Sequence, residues 1–233
     1  GSFYVCNGNC VEYSVEKGAD PEWVRLCLKG QVLAALLHQR KIINFHASSF
    51  VYNDTGIMIL GETGAGKSSL TASFILDGAG FLTDDLTPVI FEGESPVIMP
   101  LERKIKLVDD SIEQLNIPGE RLKKAEAGTG KHYLHTEDTR LDNFPLHIIF
   151  RVEVGDNEKP LFAVPGQAER FSILRSEICS WEMLAGMPDT ESDYLKQLLQ
   201  IAQKTRIVKL TRPREISIKL LGKYITDYIS MEL

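Results

Sequence analysis

One octapeptide restricts this chain more than any other feature: Gly61-Glu62-Thr63-Gly64-Ala65-Gly66-Lys67-Ser68 satisfies the pattern G-x-x-x-x-G-K-[ST] at every fixed position. It follows the apolar run Ile57-Met58-Ile59-Leu60, which reads as a strand. It precedes Ser69–Asp77, which reads as a helix stopped by Gly78-Ala79-Gly80. A glycine-rich turn from strand to helix lets backbone N–H groups face inward around a phosphate, helped by the positive end of the helix dipole. In such a P-loop Lys67 reaches the β and γ oxygens of a nucleoside triphosphate and Ser68 ligates magnesium. The expected nucleotide contacts are Glu62, Thr63, Gly64, Ala65, Gly66, Lys67, Ser68 and Ser69, with ATP and Mg2+ as the bound species. The alternative fingerprint G-x-G-x-x-G is absent from this turn, which disfavours a nicotinamide or flavin site.

The next strand, Phe81-Leu82-Thr83, ends in Asp84-Asp85. In a right-handed β-α-β unit the second parallel strand ends on the same sheet edge as the loop leaving the first, so both carboxylates are expected near the phosphates. One of them can hold the magnesium shell while the other takes the proton of an attacking hydroxyl. The reading puts the base at Asp84 and the metal-side ligand at Asp85. Asn53-Asp54-Thr55-Gly56 is a turn signal between a strand over Ile42–Val51 and the apolar strand, and hairpin register then sets His46 opposite Gly61. A structural histidine is the other reading of that spacing.

The remainder sets limits. With 233 residues, 43% of them hydrophobic, the chain is long enough for a substantial core, and a net charge of −6 argues against a nucleic-acid partner. No apolar run reaches the ~18 residues of a membrane span, and no secretory signal begins the sequence, so a cytoplasmic protein is expected. Gly1-Ser2 reads as a cloning scar. The cysteines, Cys6, Cys10, Cys27 and Cys179, lack zinc-site spacing and are expected as packed thiols. Residues 3–15 read as two strands around Gly8-Asn9, and Asp20-Pro21 opens a helix that Gly30 divides. Residues 86–101 read as strand with turns at Gly93 and Pro96. Residues 119–143, charged and without periodicity, read as a mobile surface segment. Leu146–Val152, Leu161–Val164 and Ile207–Leu210 read as strands; 167–186, 190–204 and 214–228 read as helices. The organisation expected is an amino-terminal β-α extension over 1–41 on a domain over 42–233, as a three-layer α/β unit with a mixed sheet.

The stretches Phe45-His46-Ala47-Ser48, Gly61–Ser69 and Leu82-Thr83-Asp84-Asp85 resemble the HPr serine kinase/phosphorylase family, which shares the phosphoenolpyruvate-carboxykinase-like P-loop fold. Leu36-Leu37-His38-Gln39-Arg40 and Pro100-x-x-x-Lys104 are similar to the HPr-kinase-related group that includes lasso-peptide precursor kinases. The match covers about residues 33–110. It implies phosphorylation of a serine on a peptide or small protein, with an aspartate of the doublet as base and His46 supporting it. Ser69 stands where the HPr kinases carry glutamate, and their arginine-glycine signature is absent, which argues against phosphorylase activity and against HPr as the acceptor.

An ATP-dependent serine kinase is therefore the leading expectation, with Asp84, His46 and Lys67 catalytic and Ser68 and Asp85 at the metal. A small-molecule kinase on the same fold and a nucleotide-dependent regulatory module without transfer are the competing expectations. Arg103, Lys104, Lys106, Lys131 and Arg140 are candidate clamps for phosphate or for an acidic peptide end, with Lys131 first because Gly128-Thr129-Gly130 precedes it.

Overall fold

The computed structural model describes residues 1–101, 104–125, 130–136 and 142–232. The chain begins with a hairpin of β1 (Ser2–Cys6) and β2 (Cys10–Ser14). Helices α1 (Pro21–Cys27) and α2 (Leu33–Gln39) follow, joined through a π turn at Leu28–Val32, so the helix expected after Asp20-Pro21 is interrupted at Gly30. Next come β3 (Ile43–Phe45), β4 (Ser48–Tyr52), β5 (Thr55–Gly61), α3 (Lys67–Leu76) and β6 (Gly80–Thr83). The middle of the chain supplies β7 (Thr87–Glu92), β8 (Ser95–Ile98), β9 (Lys104–Val108), α4 (Asp109–Leu115), β10 (Leu122–Lys124), β11 (Lys131–His135) and β12 (Phe144–Pro145). The last part contains β13 (Ile148–Gly155), β14 (Leu161–Ala163), α5 (Gln167–Ser176), α6 (Pro188–Lys204), β15 (Arg206–Pro213) and α7 (Ile218–Glu232).

The centre is a mixed six-stranded sheet in the order β14-β15-β13-β5-β4-β6. Its middle strand is buried at every position, which explains why it reads as an apolar run rather than an alternation. Alternation survives in where the side chains go. Ile57 and Ile59 pack with Leu70, Phe74 and Ile225 from α3 and α7, whereas Met58 and Leu60 pack with Phe45, Leu174 and Leu198 on the opposite face. That opposite face is covered by α5, α6 and a four-stranded sheet, β12-β8-β7-β3. Among the described residues no helix is long and apolar enough to cross a membrane.

Several expectations change. Ile42–Val51 is not one strand: β3 pairs with β7 in the smaller sheet, β4 pairs with β5 and β6 in the larger, and the chain crosses between them at His46-Ala47. Pro96 is a strand residue opposite Phe91 rather than a turn residue. Part of 119–143 is ordered, since β10 and β11 join β9 in a three-stranded sheet. Helix α5 ends at Ser176, and Ser180, with φ of 49°, diverts the chain into a 3-10 turn, so 167–186 is not one helix.

The hairpin between β4 and β5 turns on Asn53 and Asp54, both with positive φ (47° and 55°), the conformation that suits a two-residue turn to the strand twist. At the foot of β5, Gly56 leaves no room for a side chain: a Cβ there would lie 2.0 Å from the Pro145 carbonyl oxygen. Gly56→Ala should therefore cost about 3 kcal/mol and lower the Tm by roughly 6–12 °C in a thermal melt. An unchanged Tm would contradict this packing.

Candidate active site

Strands β5, β13 and β15 are mutually parallel, and β6 runs the same way because it and β5 are each antiparallel to β4. Their carboxyl ends share one edge of the sheet, the place where open α/β sheets hold ligands. The Gly61–Ser68 loop leaves β5 at this edge, with Gly61 in register with Val152 and Val154 in register with Arg212. Thr83 ends β6 immediately before Asp84. The expected return of the doublet to the loop is thus present, although β4 lies between the two parallel strands.

Gly61 has φ of 150°, and a Cβ on it would meet the Val152 carbonyl oxygen at 2.6 Å, so a larger residue would displace the loop from β13. Lys67 opens α3 and is 7% exposed. Its Nζ donates to the carbonyl oxygens of Gly61 (2.7 Å) and Glu62 (3.4 Å), and burial holds its pKa below the ordinary lysine value. Ser68 Oγ donates to Asp84 Oδ1 at 2.8 Å, and the Lys106 backbone N–H donates to Asp84 Oδ2 at 3.0 Å. Burial first, and then repulsion from Asp85, pushes the Asp84 carboxyl up to about 7.

Asp85 is placed differently. It has φ of 64°, its side chain is about half exposed, and its carboxylate lies 3.5 Å from Lys106 Nζ. His46, Asp85, Lys106 and Lys131 line one cleft with Glu62, Thr63, Gly64, Ala65, Gly66, Lys67, Ser68 and Ser69. His46 sits where the chain crosses between sheets, and its N–H donates to the Glu177 carbonyl oxygen at 2.8 Å. Burial and then Lys67 depress its pKa, so the imidazole is neutral at physiological pH. Ser69 Oγ bonds to Ser111 at 2.6 Å on the cleft wall.

Three further residues brace this edge. Glu177 accepts from Arg151 Nε at 2.8 Å and from the Gly61 amide, tying the start of the loop to β13. Burial raises the Glu177 carboxyl, opposed by Arg151 and Lys67. Arg212 Nε donates to the Ala65 carbonyl oxygen at 3.0 Å and braces the loop from β15. The parallel-edge rule would have found Arg212, because Ile207–Leu210 reads as a strand that ends beside it. Among the other histidines, His38 is fully buried between Tyr194 Oη and the Cys179 carbonyl oxygen, a structural placement. Lys104 stacks over Tyr133, 3.3 Å from the ring centroid, outside the cleft. Arg103, Arg140 and the Gly128-Thr129 pair lie outside the described residues.

The cleft has a volume of about 680 Å3, within the range of small-ligand sites, and extends from the loop past Arg214 to an apolar wall of Ile216, Ile218 and Leu221. The residues fit a nucleoside triphosphate, with the first-turn N–H groups of the ten-residue α3, which no side chain caps, an ammonium group at Lys67 and an apolar wall for a base. Ser68 and Asp84 could hold a divalent cation. Among the described residues no group of three His, Cys, Asp or Glu could hold a metal by itself.

No protein-family model matches the chain, and no curated protein matches it in sequence. Among solved structures, the Hpr(Ser) kinase/phosphatase from Coxiella burnetii aligns over 82% of this chain and 99% of its own, with 14% sequence identity and a TM-score of 0.44.

Proposed function

We propose that this chain is a magnesium- and ATP-dependent phosphotransferase that moves the γ-phosphoryl group to a serine hydroxyl of a peptide or small protein. The observation that carries the reading is the hydrogen bond from Ser68 to Asp84. It joins the first turn of α3 to the end of β6, and so sets a hydroxyl and a carboxylate beside Lys67, the pair that a phosphate-bound magnesium ion accepts. When bound, the ion neutralises charge on the β and γ oxygens.

The roles of the two aspartates reverse the expectation from sequence. Asp84 spends both oxygens on Ser68 and Lys106 and is 8% exposed, so an acceptor hydroxyl has little approach to it; it serves the metal side with Ser68. Asp85 faces the cleft and takes the proton of the serine. As it does so, the serine oxygen bonds to the γ-phosphorus and the bond from that phosphorus to the β–γ bridging oxygen breaks, leaving the nucleoside diphosphate. Lys67 stabilises the charge on the transferring group, and neutral His46 orients Asp85.

Incubation with magnesium and γ-labelled ATP against serine peptides, free serine and sugars tests the reading. Label is expected on a peptide or protein serine, and to disappear in Asp85→Asn while nucleotide affinity stays within about threefold. Nucleotide binding with no acceptor labelled would replace transfer by a nucleotide-dependent regulatory role.

A further inference from the structure

The hairpin of β1 and β2 sets two of the four cysteines face to face. Asn7-Gly8-Asn9 separates Cys6 from Cys10, and the antiparallel register pairs the two directly, beside Val5 opposite Val11. Asn7 and Gly8 both have positive φ (55° and 65°), the backbone that turns the chain back this tightly. Residues directly opposite in such a pair have Cα atoms about 4.5–5.5 Å apart and side chains on one face, inside the roughly 4.4–6.8 Å that a disulfide spans. The two thiols are in hydrogen-bonding contact, and both are free and only half-buried, so a small reagent can reach them. We propose that Cys6 and Cys10 form a reversible oxidation site, which a low-molecular-weight disulfide such as oxidised glutathione converts to a cross-strand bridge.

The site does not depend on the phosphotransferase reading. Contact with Cys6 raises the Cys10 pKa, so Cys10 keeps its proton and Cys6 attacks first. The Cys6 sulfur bonds to one sulfur of the reagent, whose S–S bond breaks and releases one glutathione thiol. The Cys10 sulfur then bonds to the Cys6 sulfur, the mixed disulfide breaks, and the second glutathione leaves as a thiol. The protein loses two electrons and two protons, and the reagent gains both. A resolving thiol already in contact is the arrangement found at redox-sensitive cysteines. Cys27 lies in α1 and Cys179 beyond the end of α5, and among the described residues neither faces another cysteine across a strand pair. The bridge would act on a weakly held element. Among the described residues β1 and β2 pair only with each other, and a two-stranded hairpin alone is marginal. The end of α2 grips the same tip: the Gly8 N–H donates to Gln39 Oε1 at 2.9 Å, Gln39 Nε2 donates to the Val5 carbonyl oxygen at 2.8 Å, and Arg40 Nε donates to the Gly8 carbonyl oxygen. Oxidation therefore fixes the hairpin in the register that these contacts require.

The test equilibrates the native protein with mixtures of oxidised and reduced glutathione near neutral pH, quenches it with an alkylating reagent, and reads intact mass and a peptide map. Wild type is expected to lose two hydrogens, with Cys6 and Cys10 both protected from alkylation, and to regain them in dithiothreitol. Cys10→Ser should instead keep one glutathione on Cys6, because the resolving thiol is gone. Cys27→Ser and Cys179→Ser should bridge as wild type does. Five residues close a small ring even in an unfolded chain, so the same equilibrium measured in urea separates the hairpin from mere proximity in sequence. The bridge is expected to be favoured on the order of tenfold more in the folded protein, and by linkage the same factor stabilises the hairpin. Alkylation of both cysteines in wild type, separate glutathione adducts on each, a bridge to Cys27 or Cys179, or an equilibrium no better than in urea would each overturn the site. A melt of Cys10→Ser within about 3 °C of wild type shows that the variant is folded.

Discussion

Asp84→Asn is expected to give a protein that melts at a higher temperature than wild type and has lost phosphoryl transfer. The carboxyl of Asp84 rises to about 7 because burial, and then Asp85, penalise its charge. Its unfolded-state value is near 3.9. A carboxyl whose pKa is raised on folding contributes stability that is fully present below the unfolded value and is lost as pH rises through the folded one. The penalty therefore develops between about pH 4 and pH 7, and a shift of roughly three units corresponds to on the order of 4 kcal/mol. Asparagine avoids that cost and keeps both contacts, its oxygen accepting from the Lys106 N–H and its amide donating to Ser68 Oγ. At pH 8 the variant should melt roughly 8–16 °C above wild type, and at pH 4 the difference should vanish. Magnesium binding supplies the second readout. The ion requires the ionised carboxylate, so magnesium-nucleotide affinity of wild type should fall about tenfold per unit below pH 7, with a proton released on binding. The variant should bind weakly and without that pH dependence. A variant that melts lower at pH 8 and still transfers phosphate would remove Asp84 from the metal side.

The local pattern exposed the centre of this site and little of its surroundings. The octapeptide, the apolar strand before it and the Asp84-Asp85 doublet lie within 29 residues, and hairpin register and the β-α-β rule act over such distances. The insertion of β4 between β5 and β6 did not spoil the inference, because two antiparallel pairings restore the parallel direction. His46 came from extending a hairpin register past the point where the hairpin ends. What places it at the cleft is a crossing between two sheets, held by Glu177 from a segment 131 positions later in the chain. Arg151 and Arg212 reach the loop through the order of β13 and β15 in the sheet, and Glu177 reaches it from the end of α5 through Arg151, placements that no local period encodes. The stretch 119–143 misled for a related reason. Three-residue β10 is too short to show alternation, and its partner β11 needs β9, whose pairing is non-local.

Lys67→Ala should damage binding and transfer together, and by more than any surface change. The ammonium lies under the loop on the carbonyl oxygens of Gly61 and Glu62, where burial lowers its pKa and Glu177, Asp85 and Asp84 oppose that shift. Removing it takes away a charge-assisted contact to phosphate, worth about 1.5–3 kcal/mol, or roughly 10–150-fold in nucleotide Kd. It also removes stabilisation of the transferring group in a partly desolvated site, where one lost donor costs about 10²–10³ in turnover. The Gly61 carbonyl loses its partner and the loop its anchor, so apo stability should fall by about 1–3 kcal/mol. Lys67→Arg is the informative companion. The guanidinium keeps the charge, but its rigid fork does not fit a position 7% exposed beneath two carbonyls, so arginine should recover little of either activity. Calorimetric titration with nucleotide and single-turnover transfer on the same samples separate the two effects. If Lys67→Ala binds nucleotide as tightly as wild type, the phosphates do not lie in the Gly61–Ser68 loop, and the cleft must be assigned to another ligand.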